Sequence, residues 1–104
     1  MLAAVAYAFD AELWLWDARK HDSWTFVSLP VDDSEEIRHR TEGMANGFGS
    51  VRVTVTIGAS GWQTSIFPDA GRGCYALPVK KAVRTAEGLT PGDVARVTIE
   101  LRDF

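Results

Sequence analysis

The stretch "VRVTVTIG" does more than any other to limit what this chain can fold into. Val51, Val53, Val55 and Ile57 alternate with Arg52, Thr54 and Thr56. Successive side chains on a strand point to opposite faces, so this spacing predicts a strand with one apolar and one polar side. "ARVTIEL" repeats the pattern, with Ala95, Val97, Ile99 and Leu101 set against Arg96, Thr98 and Glu100. In "YAFDAELWLW" the apolar face carries Tyr7, Phe9, Ala11, Leu13 and Leu15, and the other carries Asp10, Glu12, Trp14 and Trp16. "WTFVSL", "GWQTSIF" and the shorter "GCYAL" complete the set. Their β-branched and aromatic residues suit a pleated, half-buried surface. Val53, Val55, Ile57, Val97, Ile99 and Leu101 are therefore expected to line one core.

The punctuation agrees. "DARKHD" reads as a polar loop, "GASG" as a tight hairpin and "PDAGRG" as a longer glycine-bearing one. In "TPGD", Pro91 and Gly92 occupy the centre of a type II turn, where proline presets φ and glycine takes a positive φ. Two helices are expected. The first spans residues 34–41, with Asp33 and Glu36 at capping-box spacing. The second spans Val79 to Glu87, with an apolar stripe of Val79, Ala82, Val83 and Ala86, and with Gly88 and Leu89 closing its C-terminus.

The resulting order is ββαβββαβ in a single domain, 1–104. It contains an imperfect repeat. Leu29-Pro30-Val31 and Leu77-Pro78-Val79 each follow a strand and lead into a charged helix, and Ile37-Arg38 is echoed by Val83-Arg84. Two such corners in a mainly β chain point to a small closed or split β-barrel with pseudo-two-fold halves. Barrels also remove the unpaired edges that invite aggregation. At 104 residues, 46% hydrophobic and 24% charged, the chain can bury a core without a metal or a disulfide. One cysteine, Cys74, forms no intrachain bridge, which fits a cytoplasmic setting. The apolar start has no early basic residue and is broken by Asp10 and Glu12, so it is expected to be a strand, neither a leader nor a membrane span.

The run "FGSVRVTVTIGASGWQTSIFPDAGRGCYALPVKKAVRTAEGLTPGD" resembles a bacterial and archaeal family, the domain of unknown function numbered nineteen-oh-five. "FDAELWLW", "WTFVSLP" and "SEEIRHR" match it in order upstream. The resemblance implies a β-barrel of the double-split type, in which two β-α-β halves interlock and the two Leu-Pro-Val corners are equivalent points. Relatives are often fused to a YdeI/OmdA-like domain, and with the sequence ending at Phe104 only the barrel is expected here. The family carries over no catalytic residue. "LPVKKAVRTAEGLTPGD" is also similar to the strand-helix-turn of AbrB/MazE-like regulators, which bind DNA as dimers. That likeness rests on one corner and speaks to fold alone.

No catalytic constellation emerges. Cys74 has only His21 and His39 as candidate bases, both distant in sequence, and one cysteine with two histidines makes no recognised zinc spacing. "GFGS" enters a strand, unlike a phosphate-cradling loop, which opens a helix. Ser50 and Ser60 lie outside any nucleophile-elbow motif. Asp32, Asp33, Glu35 and Glu36 crowd a helix start, where the helix dipole favours them.

Surface chemistry is more informative. Net charge is −3, yet residues 43–86 hold one acid, Asp69, against five bases. Trp14 and Trp16 share a polar face and mark a contact surface unless a helix or loop covers it. Lys80 and Lys81 stand where basic residues oppose a helix dipole, a placement that serves an anion better than it serves folding. Arg52 could join them if its strand neighbours that corner, with Trp62 as an apolar wall. The expectation is a non-enzymatic binding or interaction module without a cofactor. It would act as a monomer or homodimer on a protein or a small anionic ligand, using Lys80, Lys81, Arg52, Trp62, Trp14 and Trp16. The alternative is an AbrB/MazE-like dimeric nucleic-acid-binding regulator using Arg72, Lys80, Lys81 and Arg84. The acidic balance argues against nucleic acid.

Overall fold

The computed structural model describes residues 5–17, 23–43 and 49–102, with Asp17 and Ser23 described by backbone alone. His21, most of the "DARKHD" loop and Gly47-Phe48 of "GFGS" lie outside the described residues. Seven strands and two helices follow in the order β1 (Ala6–Glu12), β2 (Trp14–Asp17), β3 (Ser23–Ser28), α1 (Val31–Arg40), β4 (Val51–Ile57), β5 (Ser60–Asp69), β6 (Cys74–Pro78), α2 (Lys81–Glu87) and β7 (Val94–Leu101). All pairings are antiparallel, and the sheet order is β1-β7-β4-β5-β6-β3-β2.

The fold is mainly β with two helices, in a sheet that curls into an open half-barrel. Among the described residues no ladder joins β1 to β2, so the closed barrel expected from the sequence gives way to an open sheet. The element order also gains a strand. "YAFDAELWLW" keeps one parity throughout but changes partner at Leu13: residues before it pair with β7, those after it with β3. Leu13 itself is fully buried. Its N–H donates to Asp93 O at 2.9 Å and its carbonyl accepts from Gly92 N–H at 2.8 Å, pinning the link to the type II turn. Gly92 takes the positive φ expected of it, 99°.

The inner face forms the core. Val53, Val55, Ile57, Val97, Ile99 and Leu101 are all buried, joined by Tyr7, Phe9, Val27, Ile66, Tyr75 and Leu77. Leu15 holds its expected parity but stays 50% exposed, because β2 is an edge strand. The β4–β5 hairpin loop is only Gly58-Ala59, tighter than the four residues expected. Gly58 has φ 58°, and a Cβ there would strike the Glu87 carboxylate, which also accepts a 2.7 Å hydrogen bond from the Ser60 hydroxyl.

Both helices begin elsewhere than the sequence implied. α1 starts at Val31, directly after Pro30, and has no side-chain cap. Asp33 thus lies inside the first turn, and the capping box does not form. α2 starts only at Lys81, because Val79 N–H donates to Thr25 O at 2.9 Å and prolongs the strand. Its stripe narrows accordingly: Val83 is buried, Leu89 partly so, and Ala82 and Ala86 are exposed. The C-terminus follows expectation. Gly88 is left-handed, its N–H reaches Thr85 O, and Leu89 N–H donates to Arg84 O at 2.8 Å, a Schellman closure.

Candidate functional site: an aromatic groove on the outer face

Residues paired across a ladder share a face, so the register assigns every side chain of the outer surface. Trp14 pairs with Phe26, Trp16 with Trp24, Phe26 with Pro78, and Phe67 with Ala76. The outer face of β2, β3 and β6 is therefore mainly aromatic or apolar, and β5 adds Phe67 between the polar Ser65 and Asp69. Trp14, Trp16, Trp24, Phe26, Phe67 and Pro78 line a groove of ≈ 650 Å³. Trp16 is 50% exposed, Trp24 54% and Phe67 45%. The β5–β6 loop reaches over Trp14 through Arg72, while Trp16, Trp24 and Phe67 keep about half of their surface in solvent.

Three of these rings, Trp14, Trp24 and Phe26, are held in place. The Trp14 indole N–H donates to Ser28 Oγ at 3.0 Å. Trp14 stacks on Phe26 with centroids 5.0 Å apart and planes 26° apart, and Trp24 lies 6.4 Å from Phe26 at 20°. The Arg72 guanidinium sits 3.9 Å above the Trp14 centroid and pairs with Asp69 at 3.4 Å. A cation over an indole face is worth about 0.5–1 kcal/mol at an exposed site. Leaving apolar ring surface in water forfeits about 25 cal/mol per Å². The groove thus carries preorganised aromatic surface that folding does not need.

A second cleft, of ≈ 440 Å³, adjoins the first. It is lined by Trp62, Gln63, Thr64, Val79, Lys80, Lys81 and Arg84, and it shares Trp24 and Pro78 with the groove. Among the described residues no carboxylate lines it. Among the described residues Lys80 and Lys81 form no ion pair, with α1 or elsewhere. Arg84 Nε donates to Val79 O at 3.1 Å.

The six residues singled out from the sequence thus fall into three places. Trp14 and Trp16 lie in the groove, and Trp62, Lys80 and Lys81 line the adjoining cleft. Arg52 lines neither. It pairs with Ser65 on the outer face, while Trp62 pairs with Val55 on the inner one, so the expected convergence of the two does not occur. Sequence reasoning missed Trp24, Phe26 and Phe67. The signal was present in "WTFVSL", where Trp24 and Phe26 alternate with the buried Thr25 and Val27.

A larger cleft, ≈ 860 Å³, follows α1 and is lined by Asp32, Glu35, Glu36, Arg38, His39, Glu42 and Tyr75. It runs from Gly43 to Gly49, the two sides of a segment outside the described residues. Shifted titrations gather around this helix. Burial, then the Glu36 charge, pushes the Tyr7 hydroxyl above its ordinary range. Burial, then Glu36 and Asp32, raises Asp33. The hydrogen bond from Arg40 to Glu36, 3.0 Å across one helical turn, raises the guanidinium. These are consequences of packing a carboxylate-rich helix on the sheet. Among the described residues no group of three or more His, Cys, Asp or Glu could hold a metal. No helix there is long and apolar enough to cross a membrane.

The fold and its open face define a small curled β domain bearing an exposed aromatic groove. The family of such domains is shown directly: the model of a domain of unknown function (DUF1905) matches residues 9–99, and the chain belongs to that family. No curated protein matches it.

Proposed function

We propose that this chain is a non-enzymatic binding module, acting in the cytoplasm, whose contact surface is the outer-face aromatic groove. The carrying observation is the groove of Trp14, Trp16, Trp24, Phe26 and Phe67, in which ring contacts and a hydrogen bond fix Trp14, Trp24 and Phe26 while Trp16, Trp24 and Phe67 stand exposed to solvent. Aromatic anchors in a prepared surface supply binding energy at low entropic cost. The adjoining lysines add the means to hold a negative group, which fits a protein or a small anionic ligand. The test is a panel of ligands followed by backbone-amide NMR: oligosaccharides, nucleotides, oligonucleotides and proline-rich peptides. Shifts at Trp16, Trp24, Phe67 and Ala76, with the ligand recovered chemically unchanged, support the reading. An unmoved groove at millimolar ligand, or a ligand turned over, defeats it.

One observation favours a second reading, a dimeric regulator bound to duplex DNA in the AbrB/MazE manner. Lys80, Lys81 and Arg84 line one cleft. Arg72, the fourth cation this reading needs, is engaged by Trp14 and Asp69 in the groove. A duplex affinity tighter than micromolar at physiological salt, falling steeply with added salt, would establish this reading over the first.

A further inference from the structure

We infer that the groove and the lysine cleft together form one site for single-stranded nucleic acid. The inference rests on the binding-module reading and names its ligand.

Two chemistries must meet for a single strand to bind: flat hydrophobic faces for the bases and cations for the phosphates. Here they are contiguous. Trp24 and Pro78 line both the aromatic groove and the cleft of Lys80, Lys81 and Arg84. A strand stacking a base on Trp24 therefore has ammonium groups on one side and further rings on the other. Among the described residues the cleft contains no carboxylate to repel phosphate, and Asp69, which lines the groove, is paired with Arg72 at 3.4 Å. The nearest acid on α2, Glu87, is turned to the β4–β5 hairpin and held by the Ser60 hydroxyl. Of the nine acids in residues 1–42, Asp32, Asp33, Glu35, Glu36 and Glu42 lie on α1 or just past its end, so part of the acidity behind the net charge of −3 belongs to the other cleft, along α1.

The extent of the aromatic surface selects a strand over a lone nucleotide. The groove crosses four adjacent strands, three inter-strand steps or roughly 14 Å, which is wider than one base. Duplex DNA fits poorly, because its bases are already paired and stacked and leave the groove nothing to contact. A proline-rich acidic peptide is the competing occupant. It would use the rings, but it has no recurrent planar groups to match five of them.

The experiment is fluorescence anisotropy of a labelled 12-nucleotide oligothymidylate with the full chain, from 50 to 300 mM salt. Saturable binding with a log–log salt slope near −2 is expected, as neutralising three phosphates on a single strand gives about −0.7 each. Lys80→Ala/Lys81→Ala should bring the slope to about −0.7. Trp24→Ala should weaken binding roughly 5- to 150-fold, the value of one base–aromatic stack. Arg96→Ala, on β7 and away from both clefts, should change nothing. All four positions are exposed, and circular dichroism confirms that each variant folds. No binding at 100 µM chain and 50 mM salt overturns the proposal, as does equal competition by a duplex or by a single nucleotide. If a proline-rich acidic peptide instead shifts the groove amides, the nucleic-acid inference falls while the binding-module reading stands. If no ligand moves the groove, both fall.

Discussion

The two Leu-Pro-Val corners carry the same three residues and do different things with them. Their strands are paired with each other, and in register: Ser28 faces Ala76, the residues that precede the two motifs, while Val27 faces Leu77. Beyond the prolines the likeness ends. After Pro30 the chain turns at once into α1, and Val31 is half-exposed. After Pro78 it stays extended, because Val79 N–H has a partner in Thr25 O, and Val79 is buried. Proline sets the corner in both cases by fixing φ. The hydrogen-bond partner available to the next residue decides where the helix begins.

The helices differ in what holds them. α1 is fastened to β6 by the backbone just before it and by its Ser34 side chain. Leu29 N–H donates to Tyr75 O at 3.0 Å, and the buried Ser34 hydroxyl accepts from Tyr75 N–H at 3.0 Å. Ile37 is fully buried beneath it. α2 buries one residue, Val83, and is otherwise tied at its far end by Gly88, Leu89 and the Glu87–Ser60 contact. The first corner is built for support. The second leaves its N-terminal lysines and its proline to the surface, which is where the candidate site lies.

The largest test of this contrast is truncation beneath each helix. Ile37→Ala should cost about 2–5 kcal/mol, through lost burial plus a cavity. Val83→Ala should cost less, about 1.5 kcal/mol for two methyl-sized groups. Urea midpoints at equal m-value measure both, and equal losses would erase the distinction. Ser34→Ala comes next. It strips the buried Tyr75 N–H of its acceptor and should cost about 1–3 kcal/mol, with faster amide exchange at Tyr75 as the local sign. Gly88→Ala should cost about 1 kcal/mol, because alanine at φ 66° is strained.

The smallest effects concern charge. Lys81→Glu should raise stability by about 0.3 kcal/mol by agreeing with the helix dipole, while Asp33→Asn tests the opposite corner. The Asp33 carboxyl is raised in the folded chain. Folded molecules therefore hold its proton to higher pH than unfolded ones do, and stability from this group declines as pH rises from the unfolded value through the folded one. The wild type should gain on Asp33→Asn as pH falls from 7 to 3, as read by paired urea melts. A difference that runs the other way would mean the dipole outweighs burial and the neighbouring acids.

Much of this was legible in the residues. The parity of "VRVTVTIG" and "ARVTIEL" places Val55 and Ile99 in the core, and Gly88 and Pro91-Gly92 mark real turns. What escaped depends on partners that the chain meets only on folding. Nothing local divides "YAFDAELWLW" at Leu13, since the alternation runs through it unbroken and only the neighbouring strand changes. Asp33 and Glu36 have the spacing of a cap, but Pro30 starts the helix first. The groove escaped because its rings come from three separate strands. Trp14 and Trp16 were visible as an outward pair, whereas Phe67 joins them only through three ladders, β5 with β6, β6 with β3 and β3 with β2.

Leu13 has a consequence for the groove's shape. A flat sheet of seven strands would hold its outer members about 29 Å apart, at six inter-strand spacings. β1 and β2 are those outer members, and a single residue joins them. With one residue between them, Glu12 and Trp14 lie at most about 7 Å apart, two steps of extended chain. The chain is therefore a tether too short for a flat sheet, and the curvature is a covalent constraint before it is a matter of packing. A ligand settling on the convex outer surface meets a wall that cannot be unrolled. Lengthening the tether by a few glycines would slacken that wall while leaving every groove residue in place.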